Sequence, residues 1–156
     1  MRELTFSCQL QSDPDLVRAC ILKPALFLHV AAPLVKFTRS DAPYFPDVWE
    51  PGEYRGSMKL LGVVPIGWQA IVIEFPTSSG DGHVLTDSGY GPMLKMWEHR
   101  IEAHASEGGG TRYIDRLKMD AGLLTPIASV LVAQFFKHRH RRLKMLDQSG
   151  FRELVS

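Results

Sequence analysis

Between Gly91 and Gly122 the chain reads GPMLKMWEHRIEAHASEGGGTRYIDRLKMDAG, and apolar and polar residues alternate through both halves of this stretch. Strand side chains alternate between faces, so one pairing register has to satisfy both faces of a hairpin at once. Met93, Trp97, His99 and Ile101 fall on one side, with Met96, Glu98, Arg100 and Glu102 on the other. In the second half Thr111, Tyr113, Asp115, Leu117 and Met119 oppose Arg112, Ile114, Arg116 and Lys118. Closing the turn over Ala105 to Gly110 sets Glu98 against Arg116 and Glu102 against Arg112 on the solvent face, both favourable cross-strand pairs. The same register sets Trp97 against Leu117, Ile101 against Tyr113 and His99 against Asp115 on the inner face. A titratable pair on a half-apolar inner wall is the first place to look for chemistry.

Composition narrows the setting. The chain has 156 residues, 45% hydrophobic and 22% charged, with a formal charge of +1. These are the proportions of an ordinary globule, one domain by length, with no global reason to bind nucleic acid. Its two cysteines, Cys8 and Cys20, have no metal-ligand spacing and fit a reducing compartment. MRELTFSCQL lacks the pattern of a signal peptide, and the longest apolar stretches are short and interrupted, so the expected location is cytoplasmic.

The order of elements follows from periodicity and breakers. Glu3 to Gln11 alternates as a strand with Leu4, Phe6, Cys8 and Leu10 on one face. Ser12-Asp13-Pro14-Asp15 then starts a helix to Leu22, capped by a side chain, with proline in the first turn. Pro24 begins a second short helix that Pro33 stops near Ala32. Leu34 to Arg39 is a strand, and the proline- and aromatic-rich stretch 41–55 is a long loop. Strands are expected at Ser57 to Val64, Trp68 to Phe75 and Gly82 to Ser88, with turns at Pro65-Ile66-Gly67 and Thr77 to Asp81. After the hairpin, Thr125 caps a long helix with Pro126 in its first turn. Its expected inner face is Ile127, Val130, Leu131, Gln134, Phe135, His138, Arg142 and Met145. A bent antiparallel sheet must bury one face, and this helix is the one element large enough to cover it.

Several local motifs add a resemblance. Gly91-Pro92-Met93 followed by Trp97-Glu98-His99, Gly110-Thr111 with Asp115, Leu61-Gly62-Val63-Val64-Pro65, and the helix end from Phe136 to Leu143 resemble those of the START-like, or Bet v 1-like (SRPBCC), superfamily. The closest likeness is to its bacterial ligand-binding and polyketide cyclase-like members. The resemblance runs over the whole chain. It implies an α+β helix-grip fold: a curved antiparallel sheet of about seven strands around a long C-terminal helix, with two short helices after the first strand. It also implies a single ligand-binding domain, 1–156, with an internal cavity for a lipid, quinone or polyketide-like molecule.

Within that frame the expected ligand-binding residues are Trp97, His99, Ile101, Tyr113, Asp115, Leu117, Trp68 and Phe135. His99 and Asp115 are either a structural cross-strand bond or an acid–base pair, in which the carboxylate orients the imidazole and burial opposes its charge. Tyr90 is a further candidate for the cavity wall. The aromatics of the loop (Tyr44, Phe45, Trp49, Tyr54) either gate the cavity mouth or pack on the sheet. The run KHRHRRLK, Lys137 to Lys144, is either a solvated helix end or a transient contact with an anionic membrane during lipid exchange. No metal or cofactor is implied: His83 and His104 lack ligand company, and Gly108-Gly109-Gly110 is a hairpin tip, not a phosphate loop. Three functions stay open: a carrier or binder of a hydrophobic small molecule, a cyclase-like enzyme using His99 and Asp115, and an interaction protein with a vestigial cavity.

Overall fold

A computed structural model describes residues 1–77 and 82–155. Among these, seven strands form one antiparallel sheet in the order β1-β7-β6-β5-β4-β3-β2. They are β1 (Arg2–Leu10), β2 (Val35–Arg39), β3 (Gly52–Leu60), β4 (Val64–Glu74), β5 (His83–Asp87), β6 (Met96–Ala105) and β7 (Thr111–Asp120). Helices α1 (Pro14–Ile21) and α2 (Pro24–Ala31) follow β1, and the long helix α3 (Thr125–Gln148) lies in the grip of the sheet. A 3-10 turn, Gly122–Leu124, leads into α3, and a last short helix, α4 (Arg152–Val155), follows it. This is the helix-grip architecture that the element order implies.

The alternation in the hairpin holds on the inner face. On the outer face Ile114 and Glu102 are buried too, Glu102 under its bonds to Arg100, His104 and Arg116 and not opposite Arg112. Thr111, Tyr113, Asp115, Leu117 and Met119 are buried, while Arg112, Arg116 and Lys118 are exposed. The register, however, is two residues from the expected one: His99 pairs with Leu117, Ile101 with Asp115 and Glu98 with Lys118. The turn accounts for this. Five residues, 106–110, separate the pair Ala105–Thr111, with Gly109 and Gly110 at φ 92° and 78°. Gly110 lies against the Leu10 carbonyl, where a Cβ would collide. A slip of two keeps every side chain on its face, which is why the alternation could not report it.

Three other boundaries differ. The loop ends earlier than expected, with β3 starting at Gly52, and the turn after it is Leu61–Val63, with Leu61 and Gly62 at positive φ. Pro65-Ile66-Gly67 is not a turn but a bulge inside β4, where Met58 pairs with Gly67 and Lys59 with Pro65. A bulge accommodates a proline that has no N–H to give the ladder. The turn expected over Thr77 to Asp81 falls largely outside the described residues.

The helix starts are built from proline and the backbone rather than from the expected side-chain caps. Asp13 takes the cap position of α1 without a side-chain hydrogen bond. The N–H groups of Gln11 and Ser12, just ahead of the helix, donate to Asp147 of α3, at 2.7 and 2.9 Å. The hydroxyl of Thr125 turns back, accepting from Ala121 N–H and donating to Gly122 O, so Leu124 takes the cap position of α3.

The inner face of α3 is the largest departure. Its buried residues are Thr125, Ser129, Phe136, Arg139, His140, Leu143, Leu146 and Asp147. Ile127, Val130, Leu131 and Met145, expected inside, are more than half exposed. Two polar groups of the sheet wall, His99 and Asp115, need polar partners from the helix, and that requirement outweighs the gain from burying three aliphatic side chains. Around the polar centre lie two apolar clusters. The larger joins α1, α2 and the loop through residues such as Trp49, Tyr54 and Leu146. The smaller joins Leu117, Met119 and Phe136 to Phe6 and Trp97.

Candidate functional site

The site is assembled from one residue of β6, two of β7 and two of α3. His99 points inward from β6, and its diagonal position relative to Asp115 brings Nε2 to 2.7 Å from Asp115 Oδ1. From the other side, His140 Nε2 stands 2.7 Å from Asp115 Oδ2. Tyr113, two residues along the same face of β7, donates its hydroxyl to Asp115 Oδ1 at 3.2 Å. The Asp115 carboxylate is fully buried and held by three side chains from three elements.

Arg139 supplies the cation. It is 7% exposed, and its guanidinium lies 4.9 Å from the centroid of the Phe136 ring and 5.9 Å from that of Phe135. Its Nε has no hydrogen-bond partner. A buried cation over aromatic faces recovers some energy through the ring quadrupoles, but its Nε–H donor remains unused. Beside it is a cavity of about 10 Å³ lined by Leu26, Val30, Tyr113, Asp115, Arg139, His140 and Leu143. That is room for about one water molecule.

The electrostatics follow from burial and partners. Burial pushes the Asp115 carboxyl up, but His99, the His140 hydrogen bond and Arg139 outweigh it and hold the group well below its ordinary range. Burial pulls His99 down more strongly than Asp115 raises it, so the imidazole is neutral and donates to an ionised carboxylate. Burial and the Asp115 charge push the Tyr113 phenol up. Asp87, at the end of β5, is raised to about 7 by burial, against the stabilising N–H of Val72 at 2.9 Å. Such an arrangement fixes the orientation of two imidazoles, and Arg139 can offer a hydrogen bond to an oxygen placed in the cavity. Among the described residues, no group of three or more His, Cys, Asp or Glu side chains is arranged to hold a metal ion.

The structure brings the expected residues together unevenly. His99, Asp115, Tyr113, Ile101 and Leu117 are buried on the inner wall. Trp97 is half-buried and stacks on Phe136 at 6.1 Å, and Phe135 meets the same ring edge-on at 6.2 Å. Trp68 does not join them. It lies on the outside, packed edge-on to Tyr90 at 6.1 Å and covered by Arg55 at 4.8 Å. In the loop, Trp49 and Phe45 pack with Phe27 and Tyr54, while Tyr44 is exposed.

Arg139 and His140 are absent from the expected set, because the run Lys137–Lys144 reads as one basic helix end. The structure splits that run three ways. Arg139 and His140 go inside, and His138 and Arg142 reach backbone carbonyls of Ala32 and His29 beside α2. Lys137, Arg141 and Lys144 face out. A signal was available: Phe136, Leu143 and Leu146 are spaced as one helical face, and Arg139 falls on it.

The fold is the helix-grip fold of START-like, SRPBCC proteins. Residues 22–146 match the family model described as a domain of unknown function, DUF8410, and the chain belongs to that family. No curated protein matches the sequence. Among similar solved structures is a START superfamily protein from Mycobacterium smegmatis, with TM-score 0.67 and 12% identity over 94% of this chain and 97% of that one. Protein CV1439 from Chromobacterium violaceum gives 0.66 and 11%, over 94% and 97%. The Zhui aromatase/cyclase from Streptomyces sp. R1128 gives 0.64 and 8%, over 99% and 98%. At these identities the likeness is one of fold.

Proposed function

We propose that this chain is a single ligand-binding domain, 1–156, that takes up a hydrophobic small molecule carrying a polar oxygen. The oxygen would sit between sheet and α3, received by the Arg139 guanidinium beside Tyr113 and His140. One observation carries the reading: Arg139 is a buried cation with an unpartnered Nε on the wall of a cavity. Leaving such a donor unmade is costly, and a carboxylate, carbonyl or phenol oxygen would satisfy it. Of the expected contacts Tyr113 and Asp115 line this cavity, whereas Ile101, Leu117, Trp97 and Phe135 lie outside its lining, in the apolar clusters around it. With room for one water, the site has to widen to admit a ligand, and α2 is the element that moves. Leu26 and Val30 cover the cavity, and α2 is tied to α3 through two backbone carbonyls. Each Å² of apolar ligand surface removed from water then contributes about 25 cal/mol. The unbridged cysteines fit the cytoplasmic setting.

The test is native mass spectrometry and solvent extraction of the gently purified protein, followed by thermal shifts with decanoate, palmitate and a short-chain quinone. The expected result is a one-to-one complex with an oxygen-bearing apolar molecule that Arg139→Met abolishes while the unliganded protein stays folded. A ligand that binds Arg139→Met as well as the parent overturns the reading. The second reading, acid–base catalysis by His99 and Asp115, is favoured by the 2.7 Å bond that fixes the neutral imidazole. It predicts that His99→Gln keeps binding of the extracted molecule and loses its turnover.

A further inference from the structure

The outward face of α3 is built for something other than water. Leu123 is fully exposed, and Leu124, Ile127, Val130 and Leu131 are exposed at 60% or more. Single exposed aliphatic residues are ordinary, but here they follow one another at helical spacing, and contiguous apolar patches of a few hundred Å² mark contact sites. The same outward side continues into Lys137, Arg141 and Lys144, a turn apart. None of these three has an ion-pair or hydrogen-bond partner among the described residues. They border an open groove of about 350 Å³ against β1, with Phe6 and Cys8 on its strand side. At the opposite end of the patch, the ammonium of Lys95 lies beside Gly122. Helix α3 contains one acid, Asp147, and it is buried on the backbone of Gln11 and Ser12.

We propose that this face docks on an anionic membrane surface. The leucines and isoleucine of the first turns would enter the headgroup boundary, and Lys137, Arg141 and Lys144 would meet lipid phosphates over the groove. Charge decides between occupants. A second copy would turn the face on itself, bringing cations against a helix with no exposed acid, whereas an anionic surface neutralises both ends of the patch at once. This inference does not depend on the cavity reading, since its exposed leucines, isoleucine and cations lie outside the cavity lining.

The full chain would be floated with vesicles of phosphatidylcholine alone and with vesicles of equimolar phosphatidylcholine and phosphatidylglycerol. The expected result is partitioning at least about tenfold stronger onto the anionic vesicles. Leu124→Ser/Ile127→Ser/Leu131→Ser and Lys137→Gln/Arg141→Gln/Lys144→Gln should each lower that partitioning about tenfold with the circular dichroism spectrum unchanged. Absence of flotation, equal flotation on both compositions, or triple variants that float like the parent overturns the proposal. So does a dimer in analytical ultracentrifugation that the serine variant dissolves without vesicle binding by either protein.

Discussion

Replacing Asp115 by asparagine is the sharpest test of the interior. The carboxylate accepts from His99 and His140 at 2.7 Å each and from Tyr113 at 3.2 Å, and its charge offsets that of the buried Arg139. Asparagine keeps one acceptor oxygen and turns an NH₂ group toward the other imidazole, so one histidine bond is lost and the offsetting charge disappears. Removing one partner of a buried charge arrangement costs about 3 to 5 kcal/mol. For a chain of this size, that lowers the melting temperature by roughly 10 °C. Arg139→Met should behave differently, because the guanidinium gives up few bonds when it is replaced by an unbranched apolar side chain. Its expected effect is smaller than that of Asp115→Asn, because the carboxylate keeps its three hydrogen bonds. In a double-mutant cycle followed by urea unfolding at neutral pH, the pair should cost about 2 kcal/mol less than the sum of the singles. An Asp115→Asn protein that melts within 2 °C of the parent, or a cycle without coupling, would refute the assignment of Asp115 as the ionised centre of the core.

Asp87, raised to about 7, binds its proton more tightly folded than unfolded, so stability falls as pH rises from about 4 to 7 and levels off above. At ~1.4 kcal/mol per pH unit the ceiling is about 4 kcal/mol, and Asp87→Asn should remove that slope in urea titrations at pH 5 and 8. Asp115 has the opposite sign, its stabilisation being complete above the ordinary carboxylate range and lost below it, so the loss of stability under about pH 4 should be shallower in Asp115→Asn than in the parent. Phe136 is fully buried, stacked on Phe6 at 5.0 Å and edge-on to His99 at 5.1 Å, and Phe136→Ala should cost about 3 to 5 kcal/mol in the same assay. Gly110→Ala should cost about 1 to 3 kcal/mol, because alanine would carry a strained φ of 78° and meet the Leu10 carbonyl.

Period-two patterning is a local property, and it determined the faces of β1, β6 and β7, the inward direction of His99 and Asp115, and the existence of the hairpin. Prolines at the starts of α1, α2 and α3 were equally legible, because their effect on φ acts within one residue. Element order and the motifs around Trp97, Thr111 and Phe136 were enough for the helix-grip architecture. Register was not legible, because a slip of two residues leaves every face unchanged and only the five-residue glycine turn fixes it. The bulge at Pro65 reads as a turn until its partner strand is known. Trp68 carries the residue type of a cavity wall, and only the packing of β4 decides that it faces out beside Arg55 and Tyr90. The orientation of α3 is the plainest case. Hydrophobicity along the helix points Ile127, Val130 and Leu131 inward, but which face turns in is settled by what the sheet offers. A sheet wall with a buried carboxylate between strands takes Arg139 and His140 and leaves the aliphatic residues outside, because an unpaired buried charge costs more than a few exposed methyl groups.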